Sequence, residues 1–224
     1  MGFALVSAPF MLLLLGPVSG VVTANICSAA APALILGRVF ADIDWRKFGG
    51  LATAALVGII PGAPLLKVVP AAWLGVGIGA LIIAGLSVSL LATPRPRGRG
   101  AGTTVVAGAA SGAMNVLAGV GGPAMSVYAV ATRWGQRGFA ATMQPYFMVT
   151  ALASIAAKAV TSPASMPALP VWAWLAVCLA MVLGLVSGEW AARRVTHDAG
   201  RLLVVILAFA GGAAAMVRGA AALL

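Results

Sequence analysis

The sequence Ala-Gly-Val-Gly-Gly-Pro at 118–123 interrupts a hydrophobic run where a membrane helix should continue. Gly119, Gly121 and Gly122 lower helix propensity, and Pro123 lacks the backbone N–H that a continuing helix would donate. Proline suits the first turn of a new helix, so the pattern predicts one half-helix ending near Gly119 and another starting at Pro123. At membrane depth such a break frees N–H and C=O groups, which are costly to bury unpaired. Protein, water or a ligand must take them up, which makes the break the expected substrate site.

Composition places this run in a membrane. The 224 residues are 62% hydrophobic and only 8% charged, with a mean hydropathy of +1.08. At about 20 residues per span, the chain has room for about seven or eight hydrophobic segments, with no soluble domain left over. The fold class expected is an all-α integral membrane, polytopic bundle. A net charge of +10 does not indicate nucleic acid, because the basic residues fall in short clusters between apolar runs, as in loops that obey the positive-inside rule. Cys27 and Cys178 lie far apart in apolar runs with no Cys-x-x-Cys or histidine partner, and both read as small buried hydrophobes. No metal and no cofactor is expected. Residues 1–15 lack the basic start of a signal peptide and read as part of the mature fold.

Residues 1–15 are too short to span, and Gly16-Pro17 punctuates them. Full spans are predicted at 18–37, 48–66, 71–92, 139–160, 171–190 and 202–217. Two segments flank the break, 103–118 and 123–132, and neither is expected to cross alone. Loops 38–47, 93–102, 133–138 and 191–201 hold all of the basic residues except Lys67, Lys158 and Arg218, which marks those loops as cytoplasmic. The chain between 103 and 132 then enters and leaves on the cytoplasmic side, as a re-entrant hairpin. The turn at 67–70 and the uncharged Pro-rich loop at 161–170 fall on the other side.

A weak internal repeat keeps its register. With Gly2 placed on Gly121, Gly16 falls on Gly135 and Asn25 on Gln144. Basic loops of one half then correspond to uncharged loops of the other, so the halves have opposite orientation. Two inverted repeats are expected, each with a broken, re-entrant helix-loop-helix segment, an architecture common among secondary transporters. Their bounds are 1–92 and 103–224, joined by a basic cytoplasmic linker at 93–102. The second half has a segment before its break that the first half lacks, so an upstream half-helix is expected to be missing.

The run Gly112-Ala-Met-Asn-Val-Leu-Ala-Gly-Val-Gly-Gly-Pro123, followed by an apolar half-helix and a basic turn, resembles the second-repeat signature of the TauE/SafE sulfite exporter family of membrane transporters. Gly2-Phe-Ala-Leu-Val-Ser-Ala-Pro9 resembles the tail of the first-repeat signature, and Asp44-Trp45-Arg46 fits the family's loop. The resemblance implies a multi-pass protein of the bacterial inner membrane that exports a small anion: sulfite, sulfoacetate or a related organosulfur or carboxylate anion. Its partners are that anion and the lipid bilayer. Protons as a coupling ion and a homodimer stay open.

An anion needs donors more than a formal positive charge. The half-helix after the break aims its positive dipole end there, and Gly119, Gly121 and Gly122 keep the backbone accessible. Asn115 and Ser111 share a face of the incoming half-helix, and Ser126 adds a hydroxyl on the outgoing one. Asn25 and Gln144 are the amide donors expected from the full spans, with Tyr146 and Ser7 beside them. Each has an ordinary structural role open to it as well: amides join helices, glycines permit close packing, and serines bond their own backbone. No ionisable side chain is placed near the centre of a span. Glu189 and Arg193 read as a surface pair, and His197 and Asp198 as a capping region in a loop. Carboxylate-based proton coupling therefore has no residue to carry it, and a coupled proton would travel on the substrate or through water. No nucleophile–base constellation indicates an enzyme. An anion channel, or a non-transporting membrane subunit, is the alternative to a secondary transporter working by alternating access.

Overall fold

The computed structural model describes residues 2–91, 100–161, 163, 166, 167, 169–192, 194 and 197–223. Among these the helices are α1 (Gly2–Leu15), α2 (Pro17–Val39), α3 (Trp45–Val68), α4 (Ala71–Leu91), α5 (Ala101–Ala118), α6 (Gly122–Thr132), α7 (Gln136–Thr161), α8 (Val171–Ala192) and α9 (His197–Ala221), with a 3-10 turn at Phe40–Asp42. No strand occurs among the described residues. The punctuation at Gly16-Pro17 is where the sequence put it. Gly16 adopts φ 85° between α1 and α2, with Pro17 opening the new helix. Asp44 caps α3 by accepting from the Lys47 backbone N–H at 3.1 Å.

Six described helical stretches are long and apolar enough to cross a membrane, as an all-α polytopic bundle requires. One was expected to be too short. α5 begins at Ala101, and its 18 residues reach about 27 Å, close to the width of a bilayer core. α6, with 11 residues, cannot cross. A bond of 3.1 Å between Thr104 Oγ1 and the Tyr128 hydroxyl shows that α6 turns back alongside α5. The hairpin therefore holds, with one long arm and one short. At the far end of the chain, α9 starts at His197, so His197 and Asp198 lie in its first turn and not in a loop.

Helices approach closely where side chains are absent. A side-chain carbon on Gly58 would collide with the Ala109 carbonyl oxygen, and one on Gly112 with that of Ala55, so α3 and α5 pack backbone to backbone; Gly50 faces Thr104 and Gly62 faces Val116, so they run in parallel. Gly79 meets Gly212 and Gly75 meets Gly219, which joins α4 to α9 in antiparallel fashion. In lipid this close packing, not the exclusion of water, holds helices together.

One apolar cluster, including Ala8, Val21, Ala24, Ile82, Ala208 and Val120, joins α1, α2, α4 and α9 to the break. A second, including Leu51, Ala55, Met125, Met143 and Tyr146, joins α3, α6 and α7. Cys27 is buried as expected, but Cys178 is exposed on α8. α8 has no buried residue among those described and turns Trp172, Leu175 and Leu179 outward. Lipid accepts an apolar side chain as readily as a protein core does, so hydropathy did not foretell which helix would lie outermost.

The loops at 38–47 and 133–138 meet at one end of the bundle. Arg137 Nε donates to Asp42 at 2.8 Å, the Asp44 N–H to Thr142 Oγ1 at 2.9 Å, and the Lys47 ammonium lies 4.3 Å from the centre of the Trp134 ring. This polar end also receives the start of α5, since Thr104 touches Gly50. Opposite it, Arg218 of α9 donates to the Leu13 carbonyl near the end of α1. Most of the linker at 93–102, Arg193, and the side chains of Lys67, Glu189, His197 and Asp198 lie outside the described residues.

Candidate functional site

The break is a left-handed glycine followed by an uncapped helix start. α5 ends at Ala118, and Gly119 takes φ 70° and ψ 11°, a conformation open to glycine at little cost, while its N–H donates to the Asn115 carbonyl at 2.8 Å. Ser111 Oγ donates to the Gly121 carbonyl at 2.9 Å and so satisfies one group that the break frees. The same contact explains Gly121. A side-chain carbon there would lie 2.9 Å from the Ser111 carbonyl oxygen, closer than packing allows.

α6 then starts at Gly122, with Pro123 in its first turn and no side chain capping it. Gly122 is buried, yet a side-chain carbon placed on it would meet nothing within 4 Å. Buried residues normally abut close-packed neighbours. Open space therefore lies inside the protein, beside a helix N-terminus whose free N–H groups and dipole favour an anion.

Polar side chains collect around this point. Asn115 and Ser154 are both buried, and the Ser154 hydroxyl donates to Asn115 Oδ1 at 2.8 Å. A side-chain carbon on Gly119 would lie within 4 Å of Val21, Ala24 and Ala8. One turn beyond Val21 on the same face of α2 stands Asn25, fully buried, with neither amide atom hydrogen-bonded. Ser28 and Ser7 also have buried hydroxyls without a partner. The Tyr146 hydroxyl approaches Ser111, whose Oγ is already engaged with Gly121, and makes no hydrogen bond of normal geometry.

A family model described as Sulfite exporter TauE/SafE matches residues 1–215. The chain belongs to the TauE/SafE family. It is therefore a member of a family of membrane transporters, and its long apolar helices fit a multi-pass place in the cell membrane. Comparison with curated proteins and with solved structures finds no match.

Of the residues singled out in this TauE/SafE sequence, Gly119, Gly121, Gly122, Asn115, Asn25, Tyr146 and Ser7 lie at or around the break. Ser126 sits one turn into α6 and is half-buried. Gln144 is not brought in. Its Nε2 donates to the Ala140 carbonyl of its own helix at 3.2 Å. The buried face of α7 runs through Tyr146, and two residues along a helix turn a side chain by about 200°.

That buried face also carries a residue the sequence reading left with the charges of the outer loops. Tyr146, Thr150, Ser154 and Lys158 recur every four residues, and all are buried. Lys158 is fully buried and its Nζ has no hydrogen-bond partner, so an ionisable side chain does enter the bundle. The four-residue spacing of polar side chains in an apolar span was the available signal.

Proposed function

We propose that this TauE/SafE protein exports a small oxyanion, sulfite or a related organosulfur or carboxylate anion, by alternating access between two inverted halves, 1–92 and 103–224, linked by 93–102. The observation that carries this reading is the open buried space at Gly122, in front of the uncapped start of α6. An anion seated there would receive the free N–H groups of the break without displacing any side chain. Asn25, Ser28 and Tyr146 support the same reading. Each buried polar group left without a partner costs roughly 1–3 kcal/mol, which a ligand's oxygens would offset.

Chain direction supports the inverted halves. α2 runs from Gly16 toward the polar end, whereas α7 runs from the polar end outward; α1 likewise finishes opposite the polar end and α6 finishes at it. Such a pairing is the one expected of inverted repeats that share a site between them.

The test is anion flux into proteoliposomes containing the purified chain, comparing sulfite, sulfoacetate, lactate and chloride with and without a pH gradient. Saturable flux of one sulfur or carboxylate anion is expected. Fast, unsaturated chloride flux would replace the transporter with a channel, and no flux of any anion would point to a membrane subunit.

A further inference from the structure

A buried ammonium without a partner is among the costliest groups a membrane helix can carry. Lys158 stands three residues before the end of α7 and is fully buried, with no hydrogen bond to its Nζ. A lysine near a helix end usually extends its stem to bring the charge to the interface. This one does not, since its Nζ is as buried as the stem. Arg218, at the same end of the bundle, instead finds the Leu13 carbonyl.

Among the described side chains no carboxylate stands near enough to neutralise it. Asp42 pairs with Arg137 and Asp44 with Lys47, both at the polar end, and the helical rise from Arg137 to Lys158 is about 30 Å. Asp198 opens α9, whose other end carries Arg218 against Leu13, and Glu189 lies in the last turns of α8, next to the start of α9. Chain order thus puts these two at the polar end as well. The negative end of the α7 dipole favours Lys158 only modestly.

Its depth is informative. α5 and α7 both start at the polar end and run the same way, and the Ser154–Asn115 bond sets their relative height. Lys158 is one turn beyond Ser154 and Gly119 is one turn beyond Asn115, so the ammonium lies at the level of the break.

We infer that Lys158 is an anion-binding residue of the transport path, holding the oxyanion electrostatically as it passes the break. This rests on the reading of the break as the anion's route. Lysine's compact charge with three rotatable donors suits an ion with several equivalent oxygens, where no fixed fork geometry is needed.

Sulfite uptake into proteoliposomes, measured for the wild type, Lys158→Met and Lys158→Arg alongside thermal unfolding in detergent, tests this. Lys158→Met is expected to raise the KM for sulfite about tenfold or more. Its melting temperature should equal or exceed that of the wild type, because an unpaired buried charge is gone. Lys158→Arg should recover most of the affinity. A folded methionine variant with unchanged KM overturns the inference and leaves the transporter reading standing. A methionine variant that loses stability assigns the lysine a structural role and overturns it too, as does an arginine variant no better than methionine. Wild-type protein that moves neither sulfite, sulfoacetate nor lactate overturns the transporter reading itself.

Discussion

The Ser154 hydroxyl donates to Asn115 Oδ1 across 2.8 Å, and so ties the second half of α7 to the last turn of α5 before its break. Both residues are buried, and no other side-chain hydrogen bond among those described joins these two helices. With its oxygen engaged, the Asn115 amide turns its NH2 elsewhere, toward a carbonyl, water or an anion. One bond thus fixes the height of the break and the orientation of a donor beside it.

Ser154→Ala is expected to lower stability by about 0.5–2 kcal/mol, the range for interhelical hydrogen bonds in membranes. Paired with Asn115→Ala in a double-mutant cycle, it should give a coupling energy near the middle of that range. Unfolding in mixed micelles measures both, and a coupling of zero would show that the bond contributes nothing.

Adjacent glycines should behave in opposite ways. Gly121→Ala forces a carbon against Ser111, so it should reduce folded yield and melting temperature. Gly122→Leu enters open space, so expression and folding should persist while transport is abolished, because the side chain fills the approach to the α6 N-terminus. Normal flux by the folded Leu variant would remove this space from the transport path.

The break was legible because its chemistry is local. Glycines that end a helix and prolines in a first turn are read from a few neighbouring residues, and Gly16, Pro17, Gly119 and Pro123 stand where those rules put them. Facing was not legible. α8 is apolar on all sides, so no polar stripe fixes its rotation and the sequence placed Cys178 inward. On α7 the pseudo-repeat with Asn25 drew Gln144 to the site, although the stripe Tyr146, Thr150, Ser154 and Lys158 marks another face. Lys158 was missed for a related reason. Its position near a span end fits an interfacial lysine equally well, and its burial in the folded bundle shows the head to be enclosed.

Stability should fall in acid through Asp44. Partial burial acts to raise its carboxyl, but the hydrogen bonds from the Lys47 backbone and side chain, with the charge of Lys47, outweigh this and hold the group below the usual aspartate value. A depressed native pKa adds stability that is complete above the unfolded value, about 3.9, and is lost as pH falls from there through the native value. Asp44→Asn keeps a good helix cap while removing the charge. Unfolding followed from about pH 5 to pH 3 should therefore show a shallower decline in that variant, and equal slopes would exclude Asp44 as a source of the acid sensitivity.

The orientation of the whole bundle follows from its polar end. Asp42 and Arg137 join two basic loops there, Thr104 brings the start of α5 to it, and α4, antiparallel to α9, must finish there to reach α5. The linker carrying Arg95, Arg97 and Arg99 then starts and ends on one side, and the excess of arginine and lysine predicts that this side is cytoplasmic. Arg97→Cys, in a background with the exposed Cys178 replaced by alanine, should react with a membrane-impermeant maleimide only in inside-out vesicles. Met166→Cys, in the uncharged loop between α7 and α8, should react only in right-side-out ones. The reverse pattern would invert the protein in the membrane and turn the proposed exporter's open space toward the wrong compartment. Labelling of both positions from one side would break the link between α7 and the polar end, on which the depth of Lys158 depends.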